Sequence, residues 1–402
     1  MRFSNKQLVC WALGSLVITA CSGKLQNVGD IDSGAGGEAG TSGSHSVGGG
    51  AGEAPEPTGN GGTPDSPLID AVECQGCESI AEGTTIRDVA TDAERVYWVE
   101  YGTFDDLGNY EDNGRLMSAP LVGGQPVVLA DGLLGPTGVE VSSSYIYVAE
   151  ELGPDISGAL LRIPKGGGTA EIVGTLPTEA FGNVFVFDWM ARSFVAHEGT
   201  AYWLSFGSMY KLPESEAGPG PYVDLGLGSR QPEAIFGDAS NLYVSMVGIW
   251  KLPYAGPEAL VETPVNDQTS LYSSFSTDGE YVYALDSSKA STDLLTPSYL
   301  IRTPLDAVAW KRLAQYPGKT THLVLDGSDY FVDPGVFAGD QRVGCSIVQG
   351  KLGDAEAKTT LVSLPSSYLE TSQGNCMVPW AASAKSVYVA NGRSLYRVAR
   401  AP

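Results

Sequence analysis

One aromatic position recurs along the chain and constrains its fold more than any other feature. It returns at intervals of 40 to 57 residues, and an apolar residue stands eight positions before it each time. A short polar turn such as Asp278-Gly-Glu lies between the two, which is typical of a connection between antiparallel strands. The aromatic anchors are Tyr97, Tyr147, Tyr202, Tyr243, Tyr283, Phe331 and Tyr388. The apolar residues before them are Val89, Val139, Phe194, Ile235, Phe275, Leu323 and Trp380.

A third strand follows, and in several repeats it ends on a basic residue, an apolar residue and proline or on a close variant, as in Arg162-Ile-Pro, Lys211-Leu-Pro and Arg302-Thr-Pro. A glycine turn and a fourth strand follow. The last repeat stops after its third strand at residues 397–399, whereas residues 78–83 precede the first repeat as residues 127–132 precede the second. Pairing residues 78–83 onto the last repeat would close a ring and cover a sheet edge.

These repeats predict an all-β fold: a seven-bladed β-propeller whose last blade is closed by an N-terminal strand. An open pair of β-sandwiches is the alternative, but it would leave the repeats and the displaced strand unexplained. The pattern around Val96-Tyr97-Trp98 resembles propellers of the NHL and TolB-like groups, and more closely the lipoproteins of Gram-negative bacteria with "VYW"-type repeats. The resemblance covers residues 77–399 and the N-terminal motif described next. It implies an architecture rather than a function, because propellers include enzymes, binding proteins and scaffolds.

Residues 1–20 have the features of a secretory signal. Arg2 and Lys6 precede the apolar stretch Leu8–Ile18, which is too short to cross a bilayer, since a span needs about 20 apolar residues. Ile18-Thr-Ala-Cys21 resembles the lipobox of bacterial lipoproteins, so we expect Cys21 to carry lipid and to anchor the chain in the cell envelope. Ser22 after the cysteine favours the outer membrane. Ordinary cleavage near Ala20, which would leave a soluble protein, is the alternative.

Glycine, serine and proline dominate residues 21–68, and residues 33–64 have almost no aliphatic or aromatic side chains. Such a segment buries too little apolar surface to offset the entropy of ordering, so it is expected to be a disordered linker. The predicted organisation is a signal peptide over 1–20, a lipidated linker over 21–68 and a propeller over 69–402. The folded part is expected to be a monomer.

Four cysteines remain after the signal and the lipidation site are set aside. In an oxidising compartment an even number favours disulfides. Cys345 and Cys376 are both expected at the face that carries the connections between second and third strands, so we predict a Cys345–Cys376 bridge. Cys74 and Cys77 precede the closing strand and are expected to form a short local bridge. A redox-active pair in Cys74-Gln-Gly-Cys77 is the alternative, although the βαβ context of thioredoxins is missing.

The formal net charge of −23, from 47 acidic and 24 basic residues, excludes nucleic acid as the expected partner, because phosphate binding needs a basic surface. Several acids fall in connections at one end of the blades, which we call the top face. Asp105, Asp106, Asp112 and Glu150 are candidate ligands for Ca²⁺, which prefers clustered carboxylates. Further acids on this face are Glu111, Glu151, Asp155, Asp333 and Asp340. They show no EF-hand or nonapeptide spacing, and the alternative is a set of solvated loops that keep the protein soluble.

The positions one and two residues before the first strands are expected at the rim of the central channel. The candidate ligand-binding residues there are Arg87, Asp88, Arg192, Glu233 and His322. The alternative is that Arg87, Asp88 and Glu233 brace neighbouring blades. The chain has three histidines, so a histidine-rich metal site is excluded, and a serine triad through His322 lacks a nucleophile-elbow motif.

Two functions follow from these observations. The first is a lipid-anchored, non-catalytic binding or scaffolding module for a protein or carbohydrate partner on the top face. The second is a divalent-metal-dependent hydrolase, lactonase or lyase with its site at the channel mouth, held by acids such as Asp88 and Glu233.

Overall fold

The computed structural model describes most of the chain after residue 76. The described residues are 77–103, 111–150, 158–175, 194–205, 208–220, 222–223, 234–246, 248–254, 261–262, 272–286, 296–305, 309–318, 320, 322–338, 341–365 and 378–401. Within them every regular element is a β-strand. The same residues contain no helix long and apolar enough to span a membrane.

Seven antiparallel sheets follow one another, and each corresponds to one predicted repeat. Blade 1 contains β2 (Ile86–Thr91), β3 (Arg95–Glu100), β4 (Gly114–Pro120) and β5 (Val127–Leu133). Blade 2 contains β6 (Pro136–Val141), β7 (Tyr145–Glu150), β8 (Ala159–Pro164) and β9 (Glu171–Thr175). Blade 3 contains β10 (Phe194–His197), β11 (Thr200–Ser205), β12 (Ser208–Pro213) and β13 (Tyr222–Val223). Blade 4 contains β14 (Ala234–Gly237), β15 (Asn241–Met246), β16 (Gly248–Pro253) and β17 (Val261–Glu262).

The remaining three blades complete the ring. Blade 5 contains β18 (Tyr272–Thr277), β19 (Tyr281–Asp286), β20 (Ser298–Pro304) and β21 (Lys311–Tyr316). Blade 6 contains β22 (Leu323–Asp326), β23 (Asp329–Val332), β24 (Gly335–Ala338), β25 (Gln341–Lys351) and β26 (Asp354–Pro365). Blade 7 contains β27 (Trp380–Ala382), β28 (Ser386–Asn391), β29 (Ser394–Ala399) and, outermost, β1 (Glu78–Glu82). This is the seven-bladed propeller that the repeats predict.

The core is divided among the junctions between blades. Seven apolar clusters are present, and each contains residues of two adjacent blades, including blades 7 and 1. The anchors Tyr97, Tyr243, Tyr283 and Phe331 are 0–1% exposed within these clusters. Burying a large aromatic side chain is among the strongest apolar contributions to stability, which explains why the aromatic position recurs.

The closing strand is confirmed. β1 pairs antiparallel with β29, with Glu78 opposite Arg397 and Glu82 opposite Ser394. The pairing continues beyond the strand, because the N–H of Gly83 donates to the carbonyl of Arg393 at 2.8 Å. An N-terminal strand therefore completes the last blade and leaves the ring without an open edge at that point.

A local hydrogen bond explains why three of the anchors are tyrosines. The Oδ1 atom of an aspartate in the turn accepts backbone N–H bonds from two and three residues ahead. Its Oδ2 atom accepts the tyrosine hydroxyl five residues ahead, at 2.7–2.9 Å. The three pairs are Asp92–Tyr97, Asp238–Tyr243 and Asp278–Tyr283. One carboxylate thus fixes both the turn and the register of the second strand.

A second contact joins neighbouring blades. The residue after the third strand of one blade lies against the first-to-second-strand turn of the preceding blade, and we call these contacts the blade links. The described blade links are an ion pair of Lys165 with Asp92, a hydrogen bond from Ser143 to Glu214, a stack of His197 on Tyr254, and an ion pair of Arg400 with Asp326. The links therefore use three kinds of contact: two are ion pairs, one is a hydrogen bond and one is an aromatic stack.

Blade 6 departs from the predicted repeat. The sequence interpretation placed Cys345 in a loop between the second and third strands, and this is wrong: Cys345 lies inside β25 and pairs with Gly335 of β24. The segment is an additional hairpin, so β25 has 11 residues where the third strands of the other blades have 6 or 7. Among the described residues the hairpin occurs in blade 6 alone, and therefore the periodicity gave no signal for it.

Candidate functional site

The top face of blade 1 contains an open depression of about 630 Å³. Its lining is polar and comes from the connection into the first strand and from the ends of the later strands. The lining residues are Thr84, Gly102, Thr103, Asp112, Asn113, Arg115, Asp131 and Gly132. Asp112 and Asp131 are exposed, so the depression presents carboxylates to solvent.

A hydrogen-bonded stem lies at one side of this depression, where residues 103 and 111 flank the predicted acidic loop. The N–H of Thr103 donates to Asn113 Oδ1 at 2.8 Å, and the N–H of Glu111 donates to the carbonyl of Thr103 at 3.0 Å. Asn113 Nδ2 donates to Glu111 Oε2 at 2.8 Å, and the Thr103 hydroxyl donates to the same oxygen. The stem therefore fixes both ends of the loop. The candidate ligands Asp105 and Asp106 lie outside the described residues.

Below the depression, a buried carboxylate holds the arginine that lines it. Glu100 is 1% exposed, and its Oε2 accepts a hydrogen bond from Arg115 at 2.6 Å. Its Oε1 accepts the indole N–H of Trp98 at 3.2 Å. A Cβ at Gly83 would lie 2.1 Å from Glu100 Oε1, so only glycine fits at this position. Arg115 is thus held in place by a charge-assisted hydrogen bond.

The central channel contains the second group of candidates. Asp88 was expected before the first strand, and this is wrong: Arg87 and Asp88 lie inside β2. Asp88 Oδ1 accepts the N–H of Val89 and its Oδ2 accepts the N–H of Val139 in the next blade, both at 2.8 Å. Oδ2 therefore joins the first strands of blades 1 and 2, as the bracing alternative anticipates, while Oδ1 is bound within its own strand. Arg87 lies over the ring of Tyr101, 4.3 Å from its centroid.

His322 is oriented by a buried carboxylate. Its backbone N–H donates to Asp333 Oδ1 at 2.9 Å, and its Nδ1 lies 2.7 Å from Asp333 Oδ2. Asp333 is 1% exposed. Because an ionised carboxylate only accepts hydrogen bonds, the contact holds the ring proton on Nδ1. Asp333 therefore sets the orientation and tautomer of an imidazole just before the first strand of blade 6.

Glu140 is a channel residue that sequence reasoning missed. It is half-buried in β6, next to Val139, which binds Asp88. Burial, and then the charge of Asp88, raise the pKa of Glu140 to about 8. Burial likewise raises the pKa of Asp88 to about 7, although its backbone hydrogen bonds and the charge of His322 oppose the shift. Two coupled acids that titrate near neutral pH are the main electrostatic feature of the described channel.

The repeat alignment carried a signal for Glu140. The corresponding positions in the other blades, directly after the conserved apolar residue, are Ala90, Val195, Phe236, Ser276, Val324 and Ala381. A carboxylate at a position that is otherwise small or apolar is costly to bury without compensation, and such residues cluster at functional sites.

Of the remaining candidates, the structure brings Glu150 within electrostatic reach of Asp112, so that burial and, after it, the charge of Asp112 raise the pKa of Glu150. Glu150 is buried, and its Oε1 accepts the N–H of Leu134 at 2.7 Å. Burial raises its pKa to about 7, although the bond from Leu134 opposes the shift. Arg192 and Glu233 lie outside the described residues. Among the residues that the structure describes, no three His, Cys, Asp or Glu side chains are grouped so that they could hold a metal ion.

Two of the four cysteines are described. Cys345 is 2% exposed in the cluster between blades 6 and 7, and Cys77 packs against the same cluster. Both are disulfide-bonded. Cys74, Cys376 and the lipidation candidate Cys21 lie outside the described residues, so the predicted pairings stay predictions.

No protein-family model matches the chain, and no curated protein matches it. Its similarity to solved structures is to β-propellers. A catalytically inactive virginiamycin B lyase from Staphylococcus aureus has a TM-score of 0.50 and 10% identity, over 81% of this chain and 98% of that one. YCF48 bound to D1 peptide has a TM-score of 0.47 and 11% identity, over 82% and 97%. TolB from Acinetobacter baumannii has a TM-score of 0.41 and 11% identity, over 70% and 65%.

The likeness is one of fold alone. At such identities the fold is shared without any residue of a site being transferred. The chain is a β-propeller, and its function has to be argued from its own side chains.

Proposed function

We propose that this chain is a lipid-anchored protein of the cell envelope, favoured at the outer membrane, whose propeller binds a protein partner through its top face. The observation that carries the binding proposal is the polar depression on blade 1 with its exposed Asp112 and Asp131. Two features support it. The stem through Thr103, Glu111 and Asn113 orders the edge of the depression before a partner arrives, and preorganisation reduces the entropy lost on binding. The acidic surface favours a basic partner.

The partner is tested by crosslinking in the native envelope followed by capture of the propeller. We expect Asp112→Lys with Asp131→Lys to lower recovery of the partner by about tenfold, which corresponds to about 1.4 kcal/mol. The matched control is Glu94→Lys with Glu198→Lys, because these exposed acids lie in turns at the opposite face and change the net charge equally. Equal loss of the partner in both double variants would refute a top-face site.

The anchor is tested separately by metabolic labelling with an alkyne analogue of palmitate. We expect the label on the wild-type chain, and we expect Cys21→Ser to abolish it and to release the protein from the membrane fraction. Label retained in Cys21→Ser, or no label on the wild type, would contradict the lipid anchor. Neither result would affect the binding test above.

A metal-dependent channel enzyme is the second candidate, and the raised pKa values of Asp88 and Glu140 beside His322 favour it. Groups that exchange protons near neutral pH suit general acid–base chemistry. It is tested by metal analysis of the purified protein and by thermal melts in Ca²⁺ and in EDTA. Bound metal, together with a shift that Glu140→Gln removes, would support this candidate, whereas no metal and no shift would exclude it as framed.

A further inference from the structure

We propose that an apolar sector on the outer wall of blades 1 and 2 rests on the lipid surface to which the chain is tethered. The sector consists of Val122, Val127, Val128 and Ile172. These are the exposed large hydrophobic side chains among the residues described, at 83%, 44%, 49% and 60% exposure. Clustered exposed apolar residues mark interaction sites, and all four residues lie in the third-to-fourth-strand hairpins of two adjacent blades.

A comparison at one structural position shows that the sector is specific to these blades. Val128 pairs with Met117 and Ile172 pairs with Leu161, and both partners occupy the same place in their third strands, one residue before the basic position. The residues at this position in blades 3 to 7 are Tyr222, Glu262, Arg312, Thr360 and Ser79. Blades 4 to 7 thus carry polar or charged residues where blades 1 and 2 carry aliphatic ones.

The chain enters the fold beside this sector. Arg397 donates to the carbonyl of Leu121, which precedes Val122, at 2.8 Å, and it also pairs with Glu78, the first residue of the closing strand. A Cβ at Gly123 would lie 3.5 Å from Glu78 Oε1. The segment that leads back to Cys21 therefore leaves the propeller next to the hairpin that carries Val122.

Two acids beside the sector are paired with arginines: Glu78 with Arg397, and Glu171 with Arg162. This pairing lowers the negative charge that would oppose contact with lipid, although the exposed Glu94 also lies near the sector, where its carbonyl accepts the N–H of Leu121. The four aliphatic side chains of the sector are themselves unlike the anchors of protein–protein interfaces, which are enriched in Trp, Tyr and Arg.

Docking of this kind rests on the proposed anchor. If the linker is a random coil, as its composition leads us to expect, about 50 residues give an end-to-end distance of roughly 40 Å, which would keep the propeller at a high effective concentration near the membrane. A weak apolar contact is then sufficient, because binding has become intramolecular. In this arrangement the top face does not contact the lipid and stays accessible to the proposed protein partner.

The test uses the lipidated full-length protein in phosphatidylethanolamine–phosphatidylglycerol vesicles that contain brominated acyl chains. We expect the brominated chains to quench the tryptophan fluorescence that Val122→Trp adds to the protein. The matched control is Thr360→Trp, at the position of Val128 but exposed on blade 6, and its added emission is expected to persist. Introducing Val128→Asp and Ile172→Asp into Val122→Trp should relieve the quenching while the protein still floats with the vesicles through its lipid.

The outcomes separate this proposal from the anchor itself. Without the palmitate label the anchor fails, and the quenching experiment is then repeated with a synthetic lipid coupled at the N-terminus. With the label present, equal emission from the two tryptophan variants would overturn docking. Self-association that depends on Val128 and Ile172, measured by sedimentation, would assign the sector to a second copy of the chain instead.

Discussion

At the scale of single residues, the turns between first and second strands show how one side chain can decide local structure. Asp92, Asp238 and Asp278 each bind two backbone N–H groups and one tyrosine hydroxyl. The corresponding turn in blade 3 has no aspartate, and it is also where Glu198 adopts a positive φ of 43°. This conformation is unfavourable for residues other than glycine, asparagine and aspartate.

Replacing Glu198 should therefore stabilise the protein. Glu198 and Gly199 both have positive φ, as the two central residues of a type I′ turn require, and Asn-Gly is the preferred pair there. We expect Glu198→Asn to raise the free energy of unfolding by about 0.5–1 kcal/mol, measured by urea denaturation. Glu94→Asn, in a turn without positive φ, is the control and should be neutral. An equal gain in both variants would point to surface charge rather than to backbone conformation.

At the scale of the elements, the first, second and third strands were predictable because their signals repeat. The turn lies a few residues before the anchor, and the basic residue lies directly opposite the anchor in the neighbouring third strand, as with Arg162 opposite Tyr147 and Lys211 opposite Tyr202, so these signals come from adjacent elements. The hairpin of β24 and β25 was not predictable, because it occurs in one blade only. Asp88 was misplaced by about two residues, since its partner Val139 belongs to the next blade and the repeat alone does not show where a strand begins.

The blade links belong to this scale, and they can be measured by a double-mutant cycle. Lys165 Nζ lies 2.8 Å from Asp92 Oδ2. Burial alone would raise the pKa of Asp92. The contact with Lys165 and the hydrogen bonds from the backbone N–H groups of the turn outweigh burial and lower the pKa to about 2. We expect Asp92→Asn and Lys165→Met to couple by about 0.5–1 kcal/mol in unfolding experiments at neutral pH.

The pH dependence of that coupling follows from its sign. The folded pKa of Asp92 lies below its ordinary value of 3.8, so its stabilising effect is complete above about pH 4 and is lost as the pH falls toward 2. The cycle repeated near pH 2 should give a coupling close to zero. If the effects of Asp92→Asn and Lys165→Met on the unfolding free energy are additive at neutral pH, the contact between these residues does not stabilise the junction of blades 1 and 2.

At the scale of the whole molecule, the central channel determines the response to alkali. The folded pKa values of Asp88 and Glu140, about 7 and about 8, lie above their ordinary values of 3.8 and 4.5. The folded state therefore holds protons that the unfolded state releases, and stability declines as the pH rises from about 4 to 8. This pair was not visible from the sequence, because its members stand 52 residues apart and meet only when blades 1 and 2 pack together.

Glu140→Gln tests the effect directly. We expect it to flatten the decline and to raise the unfolding free energy at pH 8, relative to pH 5, by about 2 kcal/mol. Thermal melts across this range provide the measurement. Glu111→Gln, on the exposed stem of the top face, is the control and should leave the profile unchanged. A wild-type profile that is flat from pH 4 to 8 would contradict the coupled acids.

The pairing of β1 with β29 also sets the order of events while the chain is made. Glu78 and Arg397 are separated by 319 positions, so a strand that is synthesised early waits for one that is synthesised almost last. Blades 1 to 6 can pack pairwise as they emerge, through the junctions between neighbours, while β1 stays unpaired. Vectorial synthesis thus makes completion of the ring the final step, and a chain truncated anywhere before residue 394 leaves an open strand that proteases and chaperones can recognise.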